Sequence, residues 1–192
     1  MGHAIDFGGI EEKLFLLQQL SCASQVNAEW KSKYLTSHKE ESWQVSELEI
    51  ELDQDFAFTE SLVSNYMIDI AVKTRIFQDH FKENHFECGF SEFDKSAIEY
   101  VGGNIGSVIT GNFSLTLRES CNKIIHAKKF KLLKSDTTPN NSFWSGVCEL
   151  QGSFNKQEWQ VNIKVKEWAA SLWYYHENLA EERESFWANN ES

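Results

Sequence analysis

Arg118, Asn122 and His126 stand at i, i+4 and i+8 in the stretch Arg-Glu-Ser-Cys-Asn-Lys-Ile-Ile-His. On a helix of 3.6 residues per turn they share one slowly drifting stripe. A guanidinium, an amide and an imidazole then project the same way. An imidazole of ordinary basicity gives or takes a proton at neutral pH. A guanidinium forks onto a phosphate and stabilises charge on a pentacovalent phosphoryl centre. The amide can orient the imidazole or a ribose hydroxyl. Together they suit metal-independent RNA cleavage, in which a 2′-hydroxyl attacks the neighbouring phosphate. No carboxylate cluster with ligand spacing accompanies them, so neither metal nor cofactor is expected. His80 and His85 lack a third ligand of the right type.

A helix from Leu117 to about Phe130 must carry this stripe. Thr116 and Glu119 are spaced as a capping box, which signals its start. Leu117, Cys121 and Ile124 form its apolar face, with Ile125 at the border. Between Arg118 and Lys134 six basic residues stand against one acid, a local balance of +5. Lys123, Lys128 and Lys129 in this run are the candidate RNA-backbone contacts. Cys121 and His126 lie five residues apart, on different helical faces, which excludes a cysteine–histidine hydrolase.

The flanking elements read as follows. Residues 9–31 form an amphipathic helix, with Ile10, Leu14, Leu17 and Val26 on its apolar face. Residues 43–52 alternate partly and fit a strand or a short helix. A long helix covers 59–81, with Leu62, Tyr66, Ile70 and Phe77 on one face. Ser91 and Asp94 mark another capped start. Gly102-Gly103-Asn104-Ile105-Gly106 opens a flexible connector that lacks the Gly-Lys-Ser/Thr of a phosphate loop. A polar turn containing Pro139 precedes a β-hairpin. Its second arm alternates Trp159, Val161, Ile163 and Val165 against Gln160, Asn162, Lys164 and Lys166. Phe154-Asn155-Lys156-Gln157 make the hairpin turn. A final helix follows, and the tryptophans around it (Trp144, Trp159, Trp168, Trp173, Trp187) read as core.

The expected organisation is a single domain over 1–192. A helical core occupies about 59–134, the hairpin about 143–166 and the C-terminal helix about 168–188. The expected fold class is mainly α, a helical bundle with a C-terminal β-hairpin and a final helix. The chain is 41% hydrophobic and 14% aromatic, which excludes general disorder. Its net charge of −11 opposes phosphate at long range and argues against a generic nucleic-acid-binding domain. Four scattered cysteines form no CxxC pair, and the N-terminus lacks the basic and apolar regions of a secretion signal. A cytoplasmic protein with reduced thiols is therefore expected. No apolar run reaches membrane-spanning length, so no membrane partner is expected.

The segment from Leu117 to Ala127 resembles the motif helix of the HEPN superfamily, α-helical domains carrying an Arg-x(4–6)-His motif. In this chain seven residues separate Arg118 from His126, one more than that pattern's usual maximum. The resemblance implies an endoribonuclease of toxin–antitoxin or antiviral-defence type. It implies a homodimer that brings two motif helices into one composite site on RNA, and an antitoxin or defence-system partner protein. Arg118 and His126 would be the catalytic pair and Asn122 the polar helper. A non-catalytic HEPN-like adaptor or RNA-binding module is the alternative. A third reading, an acidic antitoxin or immunity-like protein covering a basic partner, rests on the net charge.

Overall fold

The computed structural model describes residues 7–37, 42–83, 87–136 and 142–179. These form five helices and four strands in the order α1 (Phe7–Ser37), α2 (Ser42–Glu83), α3 (Glu87–Tyr100), β1 (Gly106–Thr110), α4 (Leu117–Ile125), β2 (Lys129–Asp136), β3 (Ser142–Phe154), β4 (Gln157–Lys164) and α5 (Val165–Asn178). The strands make one antiparallel sheet in the order β1-β4-β3-β2. This corrects the expected helical bundle with a C-terminal hairpin. The sheet is a full layer, and the hairpin supplies only its two central strands.

The missing strands have a physical explanation. The motif helix was expected to run to about Phe130, and no strand was expected over 129–136. Leu132 is buried and Phe130 half-buried while Lys129 and Lys131 are exposed, a period of two rather than 3.6. The segment is a strand because it pairs with β3, from Lys129 opposite Gln151 to Asp136 opposite Ser142. β1 occupies the second half of the expected glycine connector. Gly102 and Gly103 turn the chain at φ +87° and +77°, and β1 then pairs with the edge of β4. Five residues with one glycine carry too little alternation to announce a strand.

The helices cover one face of the sheet. Trp159, Val161 and Ile163 of β4 and Cys148 and Leu150 of β3 are buried beneath them. Glu149, Gln151, Gln160 and Asn162 alternate to the opposite, polar face, the pattern of an antiparallel sheet with one wet side. The expected alternation of the hairpin's second arm holds through Ile163, and Val165 already starts α5. Asn155 and Lys156, at φ 48° and 65°, make a two-residue loop, tighter than the expected four-residue turn. Positive φ at both positions is the primed geometry that matches strand twist.

α1 buries Ile10, Leu14 and Leu17 as its spacing predicts, but Val26 is 66% exposed. α2 is one continuous helix that absorbs the ambiguous 43–52 segment as well as 59–81. Val63, Met67, Ile70 and Phe77 are its buried face, while Leu62 lies outside it. All five helices and strands β2, β3 and β4 contribute to one cluster of buried residues, in which Trp144, Trp159 and Trp168 are core. Trp187 and Pro139 lie outside the described residues.

Gly152 shows how tightly neighbouring strands of the sheet fit. It faces Trp159 across the β3–β4 ladder. A Cβ on Gly152 would stand 2.2 Å from Cζ2 of that indole. Alanine is otherwise the better strand residue, so any loss must come from this overlap. Gly152→Ala should lower unfolding stability by about 1–3 kcal/mol, the usual cost of overpacking. Urea unfolding would read this as a lower midpoint. An unchanged midpoint would show that the indole swings aside freely.

Candidate functional site

The motif helix is held from outside before it presents anything. Thr116 is its N-cap, in extended backbone conformation, and accepts the Glu119 N–H on its hydroxyl oxygen at 3.1 Å. The expected capping box is thus half made. The Glu119 carboxylate turns instead to Asn122 Nδ2 and Lys123 Nζ, at 3.1 and 2.9 Å. A second cap comes from α3, where Asp94 Oδ1 accepts the Leu117 N–H at 2.9 Å. Asp94 was expected to start its own helix, but α3 begins at Glu87 and Asp94 serves α4. Within the core, Trp168 Nε1 donates to Ser120 Oγ at 2.8 Å and ties α5 to α4.

Along its side, α4 is laced to α2. Arg118 donates to Asp79 Oδ1 at 2.6 Å, and Arg75 donates to Asp79 Oδ2 at 3.0 Å and to Asn122 Oδ1 at 2.8 Å. Burial pushes the Asp79 carboxyl up, but the Arg118 hydrogen bond and the two guanidinium charges outweigh it and hold Asp79 below the usual range. Arg118 and Asn122 are therefore brought together, through Asp79 and Arg75, as a helix–helix clamp. Neither projects alone from the helix.

His126 is where α4 stops. It is the C-cap, at φ −102° and ψ 10°, and its backbone N–H bonds Asn122 O at 3.0 Å. Its side chain is exposed. Among the described residues no hydrogen bond or ion pair joins it to Arg118 or Asn122. The expected helix to Phe130 would have kept all three on one stripe. The chain instead turns into β2, with Lys128 N–H bonding Gln151 O at 2.8 Å.

The lysines divide in the same way. Lys123 Nζ sits 4.0 Å from the Phe113 ring centre and 4.7 Å from that of Trp159, and pairs with Glu119. This cation packs the helix against the sheet end. Lys128 and Lys129 do come together, on a cleft of about 280 Å³ at the hairpin end of the sheet. Lys128 Nζ donates to Ser153 Oγ at 2.5 Å, and Lys129 is exposed. Gln151 and Gln160 line the same cleft beside the Trp159 indole, with Glu158 as its acid. Glu149 accepts both amides, from Gln151 Nε2 at 2.9 Å and Gln160 Nε2 at 2.7 Å. Each amide keeps an oxygen acceptor and a second N–H for a ligand.

Spacing missed Arg75, Asp79, Gln151 and Gln160 as members of the site. Only Gln160 carried a signal, its outward position in the alternating hairpin arm. Cys121 is buried and its thiol is pushed up to about 12 by that burial, which leaves it inert as a nucleophile. Among the described residues no three His, Cys, Asp or Glu side chains cluster to hold a metal. The side chains of His80 and His85 lie outside the described residues. No described helix is long and apolar enough to cross a membrane. Compared with protein-family profiles, curated proteins and solved structures, the chain matches none.

The Asp94 cap carries a titration. Burial raises its carboxyl to about 6, against the Leu117 and Arg118 N–H groups, the Thr116 hydroxyl and the Arg118 charge, which all lower it. The folded state therefore holds this proton more tightly than the unfolded chain. Its contribution to stability is full below about pH 4 and is lost as pH rises through about 6. Asp94→Asn keeps an oxygen acceptor for Leu117 but cannot ionise. The stability of Asp94→Asn relative to wild type should rise by about 1–3 kcal/mol between pH 4 and pH 7. Denaturant melts at both pH values test this. A difference that stays flat with pH would show that folding does not shift the carboxyl's pKa.

Proposed function

We propose that the chain is an RNA-binding module that holds the phosphate backbone on the cleft of Lys128 and Lys129. The observation that carries this reading is the cleft itself, where two lysines stand beside two amides fixed by Glu149. Lysines supply the charge a phosphate needs, and oriented amides can meet unpaired base edges. An RNA ligand and a buried, inert Cys121 thiol fit a cytoplasmic setting. The likeness of residues 117–127 to a HEPN motif helix supports an RNA ligand as well. It no longer supplies the site geometry, because Arg118 and Asn122 are clamped to α2.

A second reading is metal-independent cleavage, the activity of a toxin or defence endoribonuclease. One observation favours it: the exposed His126 imidazole stands two residues before Lys128, at the mouth of the lysine run. His126 would move the proton, and Lys128 rather than Arg118 would meet the phosphate charge. A homodimer and an antitoxin partner belong to this reading alone. The acidic-antitoxin reading gains nothing from the described residues, since Glu181, Glu182 and Glu184 lie outside them.

Two measurements separate these readings. A labelled single-stranded RNA should bind wild type at low salt, and K128Q/K129Q should bind about tenfold or more weakly. The slope of log affinity against log salt should fall by roughly 1.4 for two lost phosphate contacts on a single strand. Lys95→Gln, on the exposed side of α3, should leave both unchanged. Wild-type affinity in the double variant would sink the binding proposal. If wild type also cleaves RNA in excess EDTA, His126→Ala should lose on the order of 10²–10⁴ in rate while binding is kept. Intact RNA after prolonged incubation with wild type would reject the nuclease and leave the binding module.

A further inference from the structure

A second concavity lies away from the lysine cleft and has the opposite chemistry. It is an open groove of about 610 Å³ between α1, the end of α3 and α5, in the size range that takes small organic ligands. Four aromatic rings line it: Phe15, Tyr100, Trp173 and Tyr174. Glu177, exposed in the last turn of α5, is its charged group, and no lysine or arginine lines it.

Two of the rings brace each other, and two stand well into solvent. Tyr100 and Tyr174 stack with centroids 4.5 Å apart and planes 16° from parallel. Stacking uses one face of each ring and fixes the plane of the other. Tyr100 is nevertheless 65% exposed, and Phe15 is 50% exposed. A buried core would have covered both. Gln18, on the α1 wall, is turned back to Leu14 O of its own helix at 3.4 Å.

Aromatic faces are negative and attract a cation centred over them. A carboxylate at the rim adds to the attraction and repels phosphate. That combination disfavours nucleotides and gives a neutral apolar group no electrostatic reward. It suits a cation too bulky and weakly hydrated to prefer water. We infer that this groove binds a quaternary ammonium group. The net charge of −11 draws such a cation toward the chain. The site is independent of the RNA reading, because it shares no residue with the lysine cleft.

The test titrates the full chain with choline by calorimetry, with 3,3-dimethylbutan-1-ol as its neutral isostere. The two differ in one atom, nitrogen for carbon, and therefore in charge at nearly constant shape. Choline should saturate one site with a Kd in the low millimolar range or below, about tenfold or more tighter than the isostere. Tyr100→Ala and Glu177→Gln should each weaken choline at least about threefold, Glu177→Gln without moving the thermal midpoint. Both change exposed side chains. A trimethyl-lysine peptide presents the same head group from a protein, and whichever of the two binds tighter names the source. Equal binding of choline and its isostere would overturn the inference, leaving a merely apolar groove. So would the absence of saturable choline binding up to about 50 mM, or wild-type affinity in both variants.

Discussion

A nine-residue helix is too short to hold its shape alone in water, where isolated helices below about 12–15 residues are marginal. α4 is such a helix, and everything proposed for the lysine cleft hangs from its C-terminal end. Three neighbours fix it. α3 supplies Asp94 to its first N–H, α5 supplies Trp168 to Ser120, and α2 supplies Arg75 and Asp79 along its side. Leu117, Cys121 and Ile124 then lock the buried face. The polar stripe that suggests catalysis is therefore largely fastening. Arg118 and Asn122 are what α2 grips, and only His126, past the last helical turn, is left over.

This division explains what could be read from the chain. The start of α4 was legible because a cap is local chemistry, four residues wide. Its end was not, because Lys129 to Asp136 becomes a strand only by pairing with β3, and two apolar residues, Phe130 and Leu132, are too short a run to announce its period of two. The long apolar stripe of α2 was legible for the same reason that α4's end was not. Many turns of repetition outweigh one ambiguous residue, although the buried face is turned from the expected one: Ile70 and Phe77 are buried as the spacing predicts, while Leu62 is exposed, Tyr66 is half-buried, and Val63 and Met67 are buried in their place. The partners of Arg118 were out of reach. Asp79 lies 39 residues earlier, and helical spacing places Arg118 on a polar face without saying what stands opposite. The hairpin was visible, but the sheet was not, since both outer strands depend on edges that the hairpin itself provides.

The charge distribution bears on how an acidic chain could hold RNA. At physiological salt, charges are screened beyond about 8 Å, so the net −11 slows approach more than it weakens a formed contact. What counts at contact is the set of cations still free to point outward. Lys123 is withdrawn over Phe113 and Trp159, and Lys134 over Phe56. With Arg118 paired to Asp79, the run of six basic residues thus shrinks to Lys128, Lys129 and Lys131 on the rim of the sheet. Three lysines cannot compensate for a repulsive field by number. On the RNA-binding proposal, recognition at this cleft has to come from fit: two amides aimed by one carboxylate, one hydroxyl and two ammonium groups. The same argument separates it from a histone-like or polybasic binder, whose affinity rises with every added charge. An RNA that presents an unpaired base beside its phosphate suits such a cleft better than a uniform duplex, whose base edges are already paired.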